Sequence, residues 1–439
     1  MDNLLTKIVA LAKRRGFIFQ SSEIYGGFSS SYDFGPLGVE MKNNIKKAWW
    51  NEMTKFHENI VGLDAAILMS PKVWQASGHL TAGFADELLE CKKCHKRFRP
   101  DEIQHPRLSN LTSGVCPECR GELTKPRKFN LMMKTFAGPV EDEASLTYLR
   151  AETCQGIYMN FENVLNSMRV KIPFGVVQIG KAFRNEITPK DFIFRIREFE
   201  QMEMEWFCRP KEADKFFEYW LNERLKWYEN LGIKKENLRQ VEVPEKKRAH
   251  YAKRQIDIEY KFPFGWAELE GIANRTDFDL KNQAKFSGKD LSFQDEDGKK
   301  FYPYVIEPSV GVERIILALI LEAYHEEKDK NSVRTILSLN PKVSPIKIAI
   351  FPLLANKPEL VKVARQVFDK LRPAFYAAWD DRGNIGKRYY AQDEIGTPWC
   401  VTIDYQTLKD ETVTVRDRDT MKQERLGIDK LKDFFQNKL

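Results

Sequence analysis

Between Phe183 and Glu203 the chain reads FRNEITPKDFIFRIREFEQME, a stretch whose residue types suit a bound polyphosphate. Arg184, Arg195 and Arg197 are always charged, and each planar guanidinium can bond two oxygens at once. Phe199 among them offers a flat face for a base. Glu186, Glu198, Glu200 and Glu203 supply carboxylates in the same stretch. A charged, solvated hairpin face would use the same residue types, so composition alone leaves both readings open.

The element that must carry these groups is a β-hairpin. Two runs rich in Phe, Ile and Arg flank the segment ITPKD, where Pro189 pre-sets one dihedral and Asp191 can bond its own backbone. A second element is the run IILALILEAYHEE after Gly311, Val312, Glu313 and Arg314, whose apolar density predicts a buried helix. Gly311 lets backbone approach a ligand closely. An Arg one turn into such a helix needs an anionic partner, either a phosphate or an acid such as Glu313. Upstream, the strand-like TYLRA runs into Glu152, with a helix starting near Gln155. A carboxylate at that junction can serve a site or cap the helix. Trp266 to Asp279 alternates as a strand through Leu269 and then carries Glu270, Arg275 and Asp277.

Cys91-x2-Cys94 and Cys116-x2-Cys119 have the spacing of a tetrahedral zinc knuckle, the alternative being a relic site that has lost its metal. Four thiolates leave no open position, so the metal would be structural. His95 and His105 read as surface residues of a basic loop. Seven cysteines, four of them in these pairs, point to a reducing compartment and a cytoplasmic protein. With 439 residues there is room for two or three domains. Charged residues at 30% and hydrophobic ones at 42% fit a soluble enzyme and argue against a disordered or membrane chain. The net charge of +7 is compatible with a polyanionic partner without requiring one. The first residues predict an amphipathic helix (Leu4, Leu5, Ile8, Val9, Leu11), not a signal peptide, and no apolar run reaches membrane-spanning length.

Elsewhere, Gly35-Pro36 starts a helix with Val39, Met41, Ile45, Ala48 and Trp49 at helical spacing, followed by a strand-like AAILMSP. Lys211 to about Tyr260 reads as helical and charge-rich, with Phe216, Phe217, Tyr219, Trp220, Leu225 and Trp227 as a packed face. The basic run from Glu245 to Arg254 can line an RNA path or be a solvated helix face. After Pro341 to Pro345, strands alternate with helices as in a small, largely parallel α/β domain.

The order Phe183-Arg184-x-Glu186, loop, Arg195-x3-Phe199-x3-Glu203 resembles the second signature motif of class II aminoacyl-tRNA synthetases. Gly311 to Ile316 resembles the third, and Arg150-Ala151-Glu152-Thr153-Cys154-Gln155-Gly156 narrows the resemblance to glycyl-tRNA synthetases of the homodimeric type. The likeness covers nearly the whole chain. It implies an α+β fold: an antiparallel-sheet catalytic core over 1–340, with a four-cysteine knuckle at 85–128 and a helical insertion at 210–260, then an α/β anticodon-binding domain at 345–439. The helix and strand ending at Pro71 would form the first motif, which builds the dimer interface.

The same resemblance implies ATP with Mg2+, glycine and tRNA(Gly) as ligands, and assigns roles. Arg184 would meet the α-phosphate, Arg195 and Arg314 the γ-phosphate, and Phe199 would stack on adenine. Asn185, Glu186, Phe194, Ile196, Arg197 and Glu198 would complete the hairpin's share of the ATP site. Glu268 and Leu269, near the metal, and Gly311, Val312 and Glu313 would close it. Glu152 would meet the amino group of glycine, with Glu203 and Glu307 adding negative charge and Ser309 closing the space where a side chain begins. Glu200, Gln201, Met202, Pro308 and Val310 would flank that pocket, Arg275 would approach nucleotide or substrate, and Arg99 would reach back from the knuckle. Cys154 stands where the family pattern leads one to expect Ala. Lys387, Arg388, Arg416 and Arg418 are RNA contacts or surface charge. The rivals are a class II synthetase for serine, threonine, proline or histidine, and a non-catalytic synthetase-like RNA-binding protein. The latter should have lost Arg184, Arg195 and Arg314. A four-cysteine DNA-binding protein would leave most of the chain unexplained.

Overall fold

Helix α1 (Asp2–Arg14) buries Ile8, Leu11 and Ala12, and α2 (Pro36–Phe56) buries Met41, Ile45, Trp49 and Met53 at four-residue intervals. In this computed structural model residues 2–81, 84–103, 114–187, 191–329 and 332–438 are described; Pro189 and His105 lie outside them. Proline occupies the first turn of α2, where its missing N–H has no intrahelical acceptor to lose. Two residues on, the helix passes so close to Phe17 that a Cβ on Gly38 would lie 1.8 Å from the Phe17 carbonyl oxygen.

The centre is a seven-stranded sheet. Its strands are β1 (Ile60–Gly62), β2 (Phe174–Phe183), β3 (Glu198–Cys208), β4 (Leu238–Glu242), β5 (Arg254–Phe262), β6 (Gly265–Thr276) and β7 (Tyr304–Gly311). They lie in the order β4-β5-β6-β7-β3-β2-β1, antiparallel except for the β1–β2 pair. Helices α3 (Ala213–Asn230) and α5 (Val312–Ala323) join α1 and α2 on one face, over Met202, Met204, Ile258, Ile272, Ile306 and Val310. Short helices Cys154–Met159 and Phe161–Met168, with α4 (Phe278–Ser287), cover the other, over Phe174, Val176 and Phe207.

The predicted helical insertion at 210–260 is only half helical. Helix α3 is present, but β4 and β5 are strands of the main sheet. Ile256, Ile258, Tyr260 and Phe262 are buried at every second position, the period of a strand. The charged residues between them occupy the other face. Within the core, Arg224 of α3 pairs with Glu270 of β6 at 2.8 Å, both fully enclosed.

The predicted hairpin is β2–β3, in register from Phe174↔Phe207 to Phe183↔Glu198. Its strands end earlier than the pattern suggests, so Arg184 to Arg197 form a long connection, with Phe192–Phe194 as one 3-10 turn. The cysteine segment lies beside it on short strands Ala85–Glu90, Arg97–Phe98 and Arg127–Asn130.

The segment YHEE, read as the end of the buried helix, is strand instead: α5 stops at Ala323. From Ile348 on, the chain follows expectation. A hairpin, β8 (Tyr324–Asp329) and β9 (Ser332–Leu337), leads to β10 (Ile348–Pro352), α6 (Pro358–Leu371), β11 (Ala377–Trp379), α7 (Ile385–Asp393), β12 (Trp399–Ile403), β13 (Thr412–Asp417) and β14 (Gln423–Gly427). The sheet order is β11-β10-β12-β13-β14, parallel for the first three and antiparallel beyond. Three of the four predicted RNA contacts are buried here. Arg416 makes two bonds to Asp393, Arg418 donates to the carbonyls of Gly396 and Leu339, and Arg388 donates to those of Pro352, Asp381 and Gly383. Lys387 alone of the four is exposed. Among the described residues no helix is long and apolar enough to cross a membrane.

Candidate active site

Alternation along three strands builds one open cleft of about 970 Å³ including its mouth. Phe199, Gln201 and Glu203 of β3 face it, as do Glu307, Ser309 and Gly311 of β7. Their neighbours turn to the opposite layer. Met202 and Val310 enter the core, Pro308 is buried, and Glu200 pairs with Lys42 and Lys46 of α2 at 2.8 and 3.1 Å. On β6, Gly271 and Ala273 line the cleft, and a bulge resets the phase: Ile258 pairs with Glu270 and Glu259 with Glu268, so Leu269 has no opposite number. Glu268 thereby reaches the cleft, while Leu269 and Val312 are core residues.

At one end three arginines converge from different elements. Arg184 leaves β2, donates to the Ala151 carbonyl at 3.1 Å and lies 5.4 Å from the Phe199 ring centre. Arg314 of α5 donates to the Glu268 carbonyl and lies over Phe194. Arg195 comes within 4.0 Å of Glu186, and Ile196 completes that wall. Arg314, against the cost of burial and with help from Arg184 and Arg195, holds the Glu268 carboxyl below its ordinary range. Its ionised oxygens are the hard donors that magnesium accepts. One buried oxygen of Glu186, Oε2, has no hydrogen-bond partner among the described residues.

Asn185, Arg197 and Glu198 do not line this cleft. The Asn185 N–H donates to Leu131, Arg197 donates to the Ser29 and Glu186 carbonyls, and Glu198 pairs with Lys181. They hold the connection in shape. Glu313 reaches the cleft edge and accepts from Lys42 at 2.7 Å.

At the other end lie Glu152, Glu203 and Glu307. Glu203 accepts from the Thr153 N–H and hydroxyl on one oxygen, and from Gln201 (2.8 Å) and Ser309 (2.6 Å) on the other. Gln201 Oε1 is buried without a hydrogen-bond partner among the described residues. Glu152 accepts from the Cys154 thiol (2.9 Å) and Gln155 (3.0 Å) through Oε1, with His79 Nε2 3.2 Å from Oε2. Burial would raise its pKa, but His79 and Arg275 hold the carboxyl well below the usual value. Burial pushes Glu307 up to about 8; Arg275 opposes this, and Glu203 and Glu152 add to it. Arg275 sits behind the pocket, not in it. It makes two bonds to Asp279 and one to Glu307 at 2.8 Å, with Tyr251 packed 3.6 Å from its guanidinium carbon.

His79 and Tyr251 escaped sequence reasoning. A lone His in SGHLTAG has no periodic context, and Tyr251 lies in the charge-rich run read as helix. Arg99 pairs with Asp86 at 2.7 Å on the knuckle and does not line the cleft. The knuckle cysteines do converge, with Cys91 and Cys119 sulfurs 3.4 Å apart, Cys94 and Cys116 3.7 Å, and all four within 4.8 Å of one another. Tetrahedral zinc with ~2.3 Å bonds needs sulfurs about 3.8 Å apart, so the set fits that ion.

Comparison with known proteins agrees with this architecture. Residues 138–324 match the model of the tRNA synthetase class II core domain (G, H, P, S and T), and residues 347–438 that of the anticodon binding domain. The chain is 51% identical to a glycine–tRNA ligase of Thermobifida fusca, covering 98% of this chain and 97% of that one. It is 52% identical to the glycine–tRNA ligase of Treponema denticola (96% and 94% covered) and 52% to that of Borreliella burgdorferi (98% and 97%). Near-complete coverage at half identity, with both domain families in place, leaves one assignment: the chain belongs to the glycine–tRNA ligase family of class II aminoacyl-tRNA synthetases.

Proposed function

We propose that this protein activates glycine with ATP, giving glycyl-adenylate and pyrophosphate, and then transfers glycine to the 3′ end of tRNA(Gly). The observation that carries the reading is a single cleft with three arginines at one end and three carboxylates at the other. The first suits a triphosphate and the second an ammonium group.

The first step is in-line attack of the glycine carboxylate on the α-phosphorus, with pyrophosphate leaving. Catalysis is then mostly charge neutralisation and positioning, and no side chain acts as nucleophile. Arg184 neutralises the α-phosphate, where charge builds. Arg195 and Arg314 hold the γ-phosphate and bend the chain. Adenine stacks on Phe199, and Glu186 Oε2, which has no hydrogen bond among the described residues, offers an acceptor to its exocyclic amine. Glu268 is the residue that would hold Mg2+, and the ion would supply further neutralisation of the triphosphate's charge. Glu152 and Gln201 Oε1 accept from the glycine ammonium, while Glu203 and Glu307 contribute charge. Ser309, anchored to Glu203, fills the space where a larger amino acid's side chain would begin, so exclusion is steric. The knuckle cysteines hold structural zinc. The working unit is a cytoplasmic homodimer, and the 345–439 domain reads the anticodon.

Amino-acid-dependent ATP–pyrophosphate exchange tests this. Exchange with glycine, but not with alanine, serine, threonine, proline or histidine, is the expected result. Exchange with another amino acid would overturn the pocket assignment, and none at all, with tRNA and zinc present, would favour a non-catalytic RNA-binding protein.

A further inference from the structure

We infer that His79 is a positioning residue for glycine, holding Glu152 in the orientation that leaves one carboxylate lone pair for the substrate ammonium; this rests on Glu152 being the ammonium's partner. A carboxylate offers about four acceptor sites, two on each oxygen. Cys154 and Gln155 fill both sites on Oε1. On Oε2, His79 Nε2 at 3.2 Å is the donor among the described residues, so one site there stays open on a residue that lines the cleft. A carboxylate beside Nε2 requires that nitrogen to carry its hydrogen.

The imidazole is built in as a fixed part. It is 2% exposed, lies outside the cleft wall, and its Nδ1 is 2.8 Å from the Ser77 hydroxyl. The rings of Trp74 and Phe84 pack on it with centres 5.3 and 4.6 Å away. Asn130 donates to its backbone carbonyl at 2.8 Å. The turn that delivers it needs a glycine: Gly78 has φ +83°, and a Cβ there would lie 2.8 Å from His250 Nε2. His250 in turn lies 3.0 Å from the Ser77 carbonyl, so the turn is held from both sides. Phe84 links this arrangement to the phosphate end, its ring centre 5.7 Å from the Arg184 guanidinium carbon.

A positioning role of this kind acts on glycine and spares ATP. The test measures glycine and ATP KM by pyrophosphate exchange, with thermal melts, for His79→Met, His79→Gln, Ser77→Ala and Glu152→Gln. Gln can present an amide N–H where His presents Nε2–H. Losing one hydrogen bond to a charged group should raise the glycine KM of His79→Met roughly 10- to 100-fold, with ATP KM within about twofold. His79→Gln should recover most of that loss, and Ser77→Ala should show a severalfold rise. Equal loss of glycine and ATP binding, or no advantage of Gln over Met, would overturn the inference. If His79→Met does not fold, an unchanged glycine KM in Ser77→Ala would overturn it instead. A raised glycine KM in Glu152→Gln with none in His79→Met sinks His79 alone. No change in Glu152→Gln removes the Glu152 reading, and the inference with it.

Discussion

Arg314 and Glu268 are paired across the mouth of the cleft, with Arg314 Nη1 3.2 Å from a Glu268 carboxylate oxygen and 2.9 Å from the Glu268 carbonyl. One comes from the first turn of α5 and the other from the bulged strand β6, so the pair ties two elements together at the phosphate end. Arg314→Ala should lower glycine-dependent exchange by about 100-fold or more. Arg314→Lys should recover little, because an ammonium lacks the planar fork that meets a carbonyl and an anion together. Initial exchange rates at saturating substrates measure both.

Glu307 sets a pH dependence. Its carboxyl, raised to about 8 in the folded chain, holds a proton that the unfolded chain has already released above the ordinary glutamate value. Stability without glycine should therefore decline as pH rises from about 5 to 8. The ionised form serves the ammonium, so kcat/KM for glycine should climb over the upper part of that window and level off above it. In Glu307→Gln the inflection should vanish along with much of the glycine affinity. A pH–rate profile of exchange on both proteins checks this.

Metal analysis of purified protein should return one zinc per chain, falling to near zero in Cys116→Ser with Cys119→Ser. Without the ion the small cluster around Cys91, Cys116 and Leu123 has little else to hold it. Limited proteolysis should then cut within residues 85–128 while the central sheet stays intact.

Lys387 and Arg416 should separate RNA contact from stability. Lys387→Ala should raise the KM for tRNA severalfold and leave tRNA-independent exchange unchanged. Arg416→Ala leaves the buried Asp393 with Arg334 as its remaining cation, and should cost about 3 kcal/mol or more. A denaturant melt distinguishes them.

What was legible from sequence follows from which forces act locally. Apolar periodicity placed α2, α6 and all of α5 but its end, the turn residues ITPKD between Phe-, Ile- and Arg-rich runs placed the β2–β3 hairpin, and the order of arginines around Phe199 pointed to the cleft. Strand phase was harder. Nothing in WAELEGIAN announces that Leu269 lies opposite no residue, yet that bulge decides whether Glu268 or Leu269 meets solvent. In β5, Arg254, Asp257, Glu259 and Lys261 concealed the two-residue period of Ile256, Ile258, Tyr260 and Phe262. Arg388, Arg416 and Arg418 look like surface charge because the carbonyls and carboxylate that receive them come from elsewhere in the chain. His79 is the same problem at its sharpest: a residue whose partner is 73 positions away, as the numbering of His79 and Glu152 gives, leaves no local trace.

The Arg334–Asp393–Arg416 cluster also limits how the chain can be divided. Arg334 belongs to the hairpin that precedes residues 347–438, the stretch that matches the anticodon binding domain, yet it bonds Asp393 and the Arg418 carbonyl within that stretch, and Arg418 bonds Leu339 in return. A cut at 340 would strip Asp393 of one cation and leave the Arg418 guanidinium facing a missing carbonyl. Engineers grafting this anticodon-binding unit onto another synthetase would need to transplant β8 and β9 with it, so the portable module begins near Tyr324.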